Sequence, residues 1–329
     1  MAKYIYGIIN SKKIAAGEEI HAIPYQDISA VVSNSEIIDY RYLSKEALAR
    51  QLIKHQQVIE EVMRGTTIIP MRLGTFAVDE AEVKDILEKG YSLIKEIFPK
   101  VKDKIEIDVC VTWCDFGTSI KEAGEEREVK EAKEKLLANP KGITVEDQIK
   151  VGTLIKKALD KKREEYAQEI QGSLKDISQE FKRHELMDDK MIINIAFLIE
   201  RSRQEDFDKR VEGLDVKFAR KLNFRCVGPL PPYSFYTLEV RKMEFEEIDW
   251  ARKRLGLSDL ASKDEIRKAY HRSAASAHPD VNPDAPGIEE EFDEANMAYL
   301  ILLEYCQNDS CSFTEEDFQK NAILVKVRE

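Results

Sequence analysis

The sequence predicts an α+β protein in which two small α+β units are joined by a charged helical hairpin and followed by an all-α module. Short β-branched runs alternate with amphipathic stretches over residues 1–118 and again over 186–245, which is typical of small sheets with helices beside them. Between them, 119–185 is rich in lysine and glutamate, and its apolar residues recur at helical spacing. The pattern then changes to short helices around a tight loop over 246–310. The tail, 311–329, ends in a strand-like run that we expect to return to an earlier sheet.

Composition favours a soluble protein with a real core. The chain has 329 residues, enough for two or three domains, and 43% of them are hydrophobic. The chain has a net charge of −11, whereas nucleic-acid-binding proteins typically have an excess of basic residues. No nucleic-acid partner is therefore expected. No window approaches the roughly 18 apolar residues of a membrane span, and residues 1–10 lack the features of a signal peptide. We therefore expect a cytoplasmic protein without a membrane partner.

The five cysteines do not suggest a metal site or a disulfide framework. Their number is odd, no two of them have the CxxC spacing of zinc ligands, and the chain is long. We expect buried free thiols at these positions, which are Cys110, Cys114, Cys226, Cys306 and Cys311. The sequence also lacks a Walker A loop, a dinucleotide fingerprint, HExxH and GxSxG. No metal, cofactor or catalytic residue is expected, and the protein is not expected to be an enzyme.

The first α+β unit opens with a buried strand and then alternates strands with helices. One predicted helix starts at Ser44, an N-cap residue, and its apolar residues Leu48, Leu52 and Ile59 recur at near-helical spacing. This order suggests a ferredoxin-like unit, a small sheet with helices on one side. The predicted strands are 4–9, 20–23, 28–33, 66–71 and 105–113, and the predicted helices are 43–64 and 79–98.

The charged hairpin leads into the second α+β unit. Residues 139–142 are a turn signal between a helix over 119–139 and a longer helix over 145–181. We interpret the mixed lysine and glutamate runs as solvated faces of these helices. The second ferredoxin-like unit is predicted from strands at 191–199, 224–227 and 235–240, with a helix over 204–222 and a proline-rich turn before the last strand.

The all-α module contains a capping box and a His-Pro-Asp loop. Ser262 and Glu265 form the Ser-x-x-Glu pattern that starts a helix, and Pro279 ends that helix because proline cannot continue it. A further helix begins near Gly287. This arrangement resembles the J-domain of the DnaJ-like co-chaperones, and the matching segments are 251–257, 265–270, 278–280 and 295–299.

The J-domain resemblance implies an Hsp70 partner. In that family the His-Pro-Asp loop triggers ATP hydrolysis in Hsp70, and basic residues of the preceding helix dock on its surface. Ser276 stands where the family usually has a lysine or arginine, and Val281 stands where a basic residue is common. The alternative is a J-fold kept only for packing. The positions that match the Hsp70-binding roles are His278, Pro279, Asp280, Arg267, His271 and Arg272.

Three short segments stand out within residues 1–243: Lys3–Ile9, Ile68–Thr75 and Phe224–Phe235. Together with the charged helical middle, they resemble the gas-vesicle protein F/L family (GvpF/GvpL). These segments also have a purely structural interpretation, because prolines can end strands or preset turns and a glycine can supply a positive φ. The family motif positions are Pro70, Arg72, Gly74, Gly228, Pro229, Pro232 and Tyr233.

The two resemblances together imply a role in gas-vesicle assembly. The expected partners are the apolar gas-vesicle shell protein, other gas-vesicle accessory proteins and a DnaK-like Hsp70 recruited by the J-domain, and the expected location is the cytoplasm and the gas vesicle. One alternative is a general Hsp70 co-chaperone whose α+β region binds varied clients. Another is a structural vesicle component with an inactive J-fold. The residues alone do not choose among these functions.

Overall fold

The fold was analysed on a computed structural model of the chain. The structure describes residues 1–11, 19–138, 143–277 and 288–328. Within these ranges no helix is both long enough and apolar enough to cross a lipid bilayer.

The chain divides into two compact units. The first combines Met1–Val58, Met71–Phe98 and Leu238–Glu329, and the second combines Ile59–Pro70 and Pro99–Thr237. These bounds differ from the boundaries expected at residues 118, 185 and 245. Segments far apart in sequence pack together, and sequence periodicity contains no information on such packing.

Strands and helices alternate along the whole chain. The strands are β1 (Lys3–Ile9), β2 (Ile20–Tyr25), β3 (Ile28–Asn34), β4 (Ile68–Pro70), β5 (Phe76–Ala77), β6 (Lys104–Trp113), β7 (Glu180–Arg183), β8 (Met191–Glu200), β9 (Leu222–Leu230), β10 (Leu238–Lys242), β11 (Leu260–Ser262), β12 (Ser310–Ser312) and β13 (Ile323–Val327). The helices are α1 (Lys45–Gly65), α2 (Glu80–Val101), α3 (Phe116–Gly124), α4 (Arg127–Leu137), α5 (Val145–Lys175), α6 (Gln204–Lys217), α7 (Tyr233–Tyr236), α8 (Phe245–Arg254), α9 (Lys263–Ser276), α10 (Ile288–Tyr305) and α11 (Glu315–Asn321).

In the first unit, β3 pairs antiparallel with both β1 and β2, and β5 pairs with β1. Six consecutive residues of β1 are buried, as expected for a strand covered on both faces. Helix α2 buries Val83, Leu87 and Ile94. The α+β class, the buried first strand and the helix after residue 79 are confirmed.

The C-terminal strand β13 pairs antiparallel with β10, from Leu238 opposite Val327 to Lys242 opposite Ile323. The helix α2 packs closely against this strand, and a Cβ at Gly90 would lie only 3.0 Å from a side-chain carbon of Val325. The all-α module therefore lies in the chain between two strands that pair with each other.

The all-α module is tied to both of these strands by ion pairs. Glu304 of α10 pairs with Arg241 of β10 and accepts a bond from Lys326 of β13 at 2.6 Å. The backbone N–H of Met243 donates to the carbonyl of Ala322 at 2.8 Å. The module is an insertion that its flanking strands hold at both ends.

The second unit contains an antiparallel sheet in the order β7-β8-β6-β9. The side chains of Ile105, Ile107 and Val109 on β6 belong to a buried cluster with Phe197 of β8 and Phe207 of α6. The strand predicted at 105–113 was expected to belong with the N-terminal strands. In the structure it is a central strand of the second sheet, because both of its edges pair with strands from beyond residue 190.

Several helix predictions need correction. Leu48 and Leu52 do not face a core: 38% and 49% of their surface is exposed, while Ile59 is buried. The long helix α5 ends at Lys175, and Phe181 lies in β7 instead. The last strand of the second unit was expected over 235–240, but Phe235 lies in the one-turn helix α7 and the strand starts at Leu238.

The expectation of buried free thiols is wrong at four of the five cysteines. Cys306 and Cys311 form a disulfide, with α-carbons 5.5 Å apart. The chain turns back after α10, so that β12 lies beside the end of that helix. Cys114 and Cys226 are free but exposed, because Cys114 follows the end of β6 and Cys226 lies on the edge strand β9. Cys110 is free and partly buried.

Candidate functional sites

The all-α module has a compact core in which α10 packs against both α8 and α9. Ile248, Ala251 and Ile266 are fully buried in this core. Tyr270 of α9 stacks on Tyr299 of α10 with ring centroids 4.2 Å apart. This stacked tyrosine pair holds α9 against α10.

The predicted capping box at the start of α9 is confirmed. The Ser262 hydroxyl accepts from the backbone N–H of Glu265 at 3.2 Å, and the Glu265 carboxylate accepts from the backbone N–H of Ser262 at 2.8 Å. The Glu265 carboxylate accepts hydrogen bonds from the backbone N–H and from the hydroxyl of Ser262, and these bonds lower the pKa of the carboxyl. The first turn of α9 is thereby fixed by both side chains.

The basic residues assigned to Hsp70 docking lie on α9. Arg267, His271 and Arg272 are all exposed. Arg267 pairs with Asp264 on the same helix at 3.3 Å, an exposed contact that is weak in water. Together they form a basic face on α9, interrupted further along the helix by the exposed Ser276. The residues His278, Pro279 and Asp280 lie outside the described ranges.

The first two family segments meet in a buried hydrogen-bond network in the first unit. Tyr4 Oη lies 2.7 Å from His55 Nδ1, and His55 Nε2 lies 3.1 Å from the carbonyl oxygen of Met71. A carbonyl only accepts, so His55 carries its proton on Nε2 and accepts from Tyr4 on Nδ1. The backbone N–H of Gly74 donates to Tyr4 Oη at 3.3 Å. Helix α1 and strand β1 thus hold the segment 71–74 in place.

Burial sets the protonation of this network. It lowers the pKa of His55 to about 4 and raises the pKa of Tyr4 above its usual value. Both side chains are therefore neutral at neutral pH. Sequence reasoning found Tyr4 as part of a strand but missed His55, because a lone histidine in a charged helix gives no signal of burial.

The segment 71–75 has the geometry expected of a glycine turn. Gly74 has φ +84°, and a Cβ at this position would lie 2.9 Å from the ring of Tyr40. Arg72 forms an ion pair with Glu239, and its backbone N–H donates to the carbonyl of Leu238 at 2.8 Å. Pro70 is buried at the end of β4. The expectation of a positive φ at Gly74 is confirmed.

The third family segment runs along the edge strand β9 and into α7. A Cβ at Gly228 would lie 3.0 Å from the backbone oxygen of Glu106, so the two strands approach closely there. The peptide bond before Pro229 is cis. Pro232 is the residue before α7 and Tyr233 is the first residue in it. Among the described residues, the buried hydroxyl of Tyr233 has no hydrogen-bond partner.

A buried carboxyl group holds the end of this segment. Glu106 of β6 is 1% exposed and accepts from the backbone N–H and the hydroxyl of Ser234, at 2.8 and 2.7 Å. The Ser234 hydroxyl also lies 3.1 Å from His184 Nε2. Burial, with a further contribution from the neighbouring Asp108 carboxyl, raises the pKa of Glu106 to about 8.

Sequence analysis did not single out Glu106. The local signal is the alternation of polar and β-branched residues in Lys104–Trp113, which predicts a strand with one buried face and does not show what covers the other face. Helix α7 covers that face at Glu106. Because α7 is far from β6 in the sequence, the local pattern of residues gives no sign of this contact.

Fold and site features define an α+β protein with a J-like helical insertion near its end. Residues 253–307 match the DnaJ domain. Residues 2–237 match the family described as "Gas vesicle synthesis protein GvpL/GvpF". That match covers more than two thirds of the sequence, and the chain belongs to this family.

Relatives of both parts are known. The chain is 28% identical to gas vesicle protein F of Microcystis aeruginosa over 247 residues, which cover 71% of this chain and 98% of the relative. It is also 28% identical to gas vesicle protein F of Nostoc over 224 residues, covering 65% and 91%. The chaperone protein DnaJ of Chlorobium limicola is 56% identical over 48 residues, which cover 15% of this chain and only 12% of that protein.

Two solved structures have the same α+β fold. The crystal structure of GvpF from Anabaena sp. PCC7120 superposes with a TM-score of 0.63 at 25% identity, covering 72% of this chain and 98% of that one. GvpF from Microcystis aeruginosa gives a TM-score of 0.59 at 26% identity, covering 72% and 99%. The predicted fold class is confirmed. More than a quarter of this chain lies outside the region that superposes on these two structures.

Proposed function

We propose that this protein is a gas-vesicle assembly factor that binds the apolar shell protein and recruits a DnaK-like Hsp70 through its J-like module. The observation that carries the proposal is the presence of both family matches on one chain, over residues 2–237 and 253–307. A very apolar subunit aggregates unless another protein shields it before assembly. An Hsp70 cycle directed to that subunit would supply energy-driven capture and release.

The described part of the module supports Hsp70 recruitment through charge. Arg267, His271 and Arg272 are exposed on α9, where charge-assisted pairs and electrostatic steering by an acidic partner are available. His278, Pro279 and Asp280 are assigned the trigger role by resemblance. We also propose that the protein works in the cytoplasm and at the gas vesicle, together with other gas-vesicle accessory proteins. Nothing in the proposed role requires catalysis by this chain.

The Hsp70 part of the proposal is tested by ATPase stimulation with the full chain and the cognate Hsp70. Asp280→Asn should reduce the rate to that of Hsp70 alone. Arg272→Glu should raise the protein concentration needed for half-maximal stimulation on the order of tenfold, because a charge-assisted contact becomes repulsive. Lys157→Glu makes the same charge change on an exposed position of α5 and should leave stimulation unchanged. Equal stimulation by Asp280→Asn and the unaltered protein would refute recruitment through the loop.

The shell-binding part is tested by diluting denatured shell protein into buffer with and without the chain and sedimenting the aggregates. We expect the shell protein to stay in the supernatant when the chain is present at a near-equimolar ratio to it. An unrelated aggregating protein serves as the second client. If both clients stay soluble to the same degree, the protein is a general co-chaperone. If neither does, the shell-binding proposal fails.

A further inference from the structure

The disulfide-closed loop between Cys306 and Cys311 holds the first turn of α9. The backbone N–H of Lys263 donates to the carbonyl of Asp309 at 2.9 Å, and its ammonium donates to the carbonyl of Gln307 at 2.8 Å. The first N–H groups of a helix lack partners within the helix, so this loop satisfies one of them.

The same loop also fixes the strand that precedes α9. In the β11–β12 ribbon, Ala261 lies opposite Cys311 and Ser262 lies opposite Ser310. Ser262 is the N-cap of α9, and the sulfur of Cys311 lies 3.5 Å from the carbonyl oxygen of Ala261. The covalent bond therefore ties the end of α10 to the start of the helix that carries the basic face.

The two cysteine residues differ in exposure. Cys306 is 1% exposed, whereas Cys311 is half-buried. Cys311 lines an open groove of about 770 Å³ that is also lined by the strand β13. An incoming thiolate can reach Cys311 from this groove, and Cys306 is then the leaving sulfur.

We propose that Cys306–Cys311 is a reversible thiol–disulfide site that reacts with low-molecular-weight thiols and sets the order of the first turn of α9. The inference rests on the proposed function, because disulfides in cytoplasmic proteins are rare and are mostly transient or redox-sensing. Structural disulfides of secreted domains need no such access to solvent.

The exchange balances without any other reactant. A small thiolate attacks the sulfur of Cys311, forms a mixed disulfide and releases Cys306 as a thiolate, which takes up a proton. A second small thiolate attacks the small-molecule sulfur of the mixed disulfide, releasing Cys311 and one small-molecule disulfide. Two electrons pass from the small thiols to the protein. The reverse sequence, with the small-molecule disulfide as oxidant, restores the loop.

Reduction should loosen the helix start. Without the cross-link, the loop from Gln307 to Ser310 gains conformational freedom, and the bond from Lys263 to Asp309 is formed for less of the time. Arg267 lies one turn further along α9. Redox state would thus change the presentation of the basic face without altering any of its residues.

The experiment compares the full chain in buffers of reduced and of oxidised glutathione. After acid quench and denaturation, maleimide labelling read by intact mass should count three thiols in the oxidised protein and five in the reduced one. Amide hydrogen exchange at 262–267 should rise on the order of tenfold on reduction. Exchange in the buried strand β8 should stay unchanged.

Two variants complete the test. Cys306→Ser with Cys311→Ser should give the fast exchange in both buffers, and Cys226→Ser, which removes an exposed free thiol, should respond as the unaltered protein does. Five thiols in oxidised glutathione, or equal exchange of 262–267 in both states, would overturn the proposal. Hsp70 stimulation is measured in parallel. If Hsp70 is not stimulated in either redox state, recruitment of Hsp70 is refuted. The thiol counts and the amide exchange still decide whether the disulfide is a reversible redox site.

Discussion

The two compact units hold their family segments with different chemistry. In the first unit, the neutral side chains of Tyr4 and His55 hold the segment 71–74 through hydrogen bonds to its backbone groups. In the second, the turn at Ser234 is bound by the carboxyl of Glu106, beside the second carboxyl of Asp108. Both networks are buried, yet only one contains an acid that must stay protonated to avoid a buried charge.

The two segments should therefore respond to pH in opposite directions. The pKa of His55 is lowered to about 4 from 6.5, so its contribution to stability is complete above pH 6.5 and is lost as the pH falls towards 4. The pKa of Glu106 is raised to about 8 from 4.5, so its contribution is complete below pH 4.5 and is lost as the pH rises towards 8. Acid weakens the first network and base weakens the second.

Removing the histidine should have the largest effect. His55→Ala leaves a cavity, removes the acceptor of the Tyr4 hydroxyl proton and removes the donor to the Met71 carbonyl, and should cost about 3 kcal/mol of unfolding free energy. Urea denaturation measures this loss. Gln57→Ala changes an exposed residue of the same helix and should stay within about 0.5 kcal/mol. A loss below about 1 kcal/mol for His55→Ala would mean that the network does not hold the segment.

A side chain at the glycine turn should have the next largest effect. Gly74→Ala combines a positive φ with a close contact to the Tyr40 ring, and should cost about 1–3 kcal/mol. Gly152→Ala is the matched control, because nothing lies within 4 Å of a Cβ at that helical position. It should stabilise the protein by about 0.5–1 kcal/mol. Equal effects of the two substitutions would contradict the turn geometry.

The pH dependence distinguishes the two networks most specifically. Glu106→Gln cannot ionise and keeps a carbonyl oxygen for Ser234. Its stability relative to the unaltered protein should therefore rise as the pH increases from 4.5 to 8. Urea midpoints across this range measure the difference.

The control for this pH series is Glu165→Gln, which removes an exposed carboxyl on α5. Its difference from the unaltered protein should show little change over the same range. A Glu106→Gln difference that shrinks as the pH rises would mean that Glu106 is ionised in the folded protein.

The smallest effect is expected at Tyr233. Tyr233→Phe removes a buried hydroxyl without a protein partner among the described residues, and should change stability by less than about 0.5 kcal/mol or raise it. Tyr270→Phe removes a hydroxyl that donates to Asn296 and should cost about 1 kcal/mol. Thermal denaturation compares the two. A larger loss at Tyr233 would reveal a partner for its hydroxyl.

Local features were predictable from sequence, and long-range ones were not. The capping box of Ser262 and Glu265 depends on residues three apart, and the positive φ at Gly74 on a single residue. The pairing of β6 with β8 and β9 joins residues about a hundred positions apart, beyond the reach of periodicity. The same limit explains the exposure of Leu48 and Leu52 on α1.

The candidate sites divide in the same way. The basic face of α9 follows from the order of residues in one helix. The burial of His55 and Glu106 depends on which elements cover them, and the bond between Cys306 and Cys311 depends on a chain reversal after α10. Motif resemblance located the family segments, but the groups that hold those segments are seen only in the fold.

If the J-like module works in vesicle assembly, its inactivation should lower the yield of gas vesicles in cells. The measurement counts vesicles in cells whose only copy of this protein carries Asp280→Asn, with the protein level checked by immunoblot. Vesicle number should fall well below that of cells with the unaltered protein at equal protein level. An unchanged vesicle number would contradict the account and leave an assembly protein whose J-fold serves only packing.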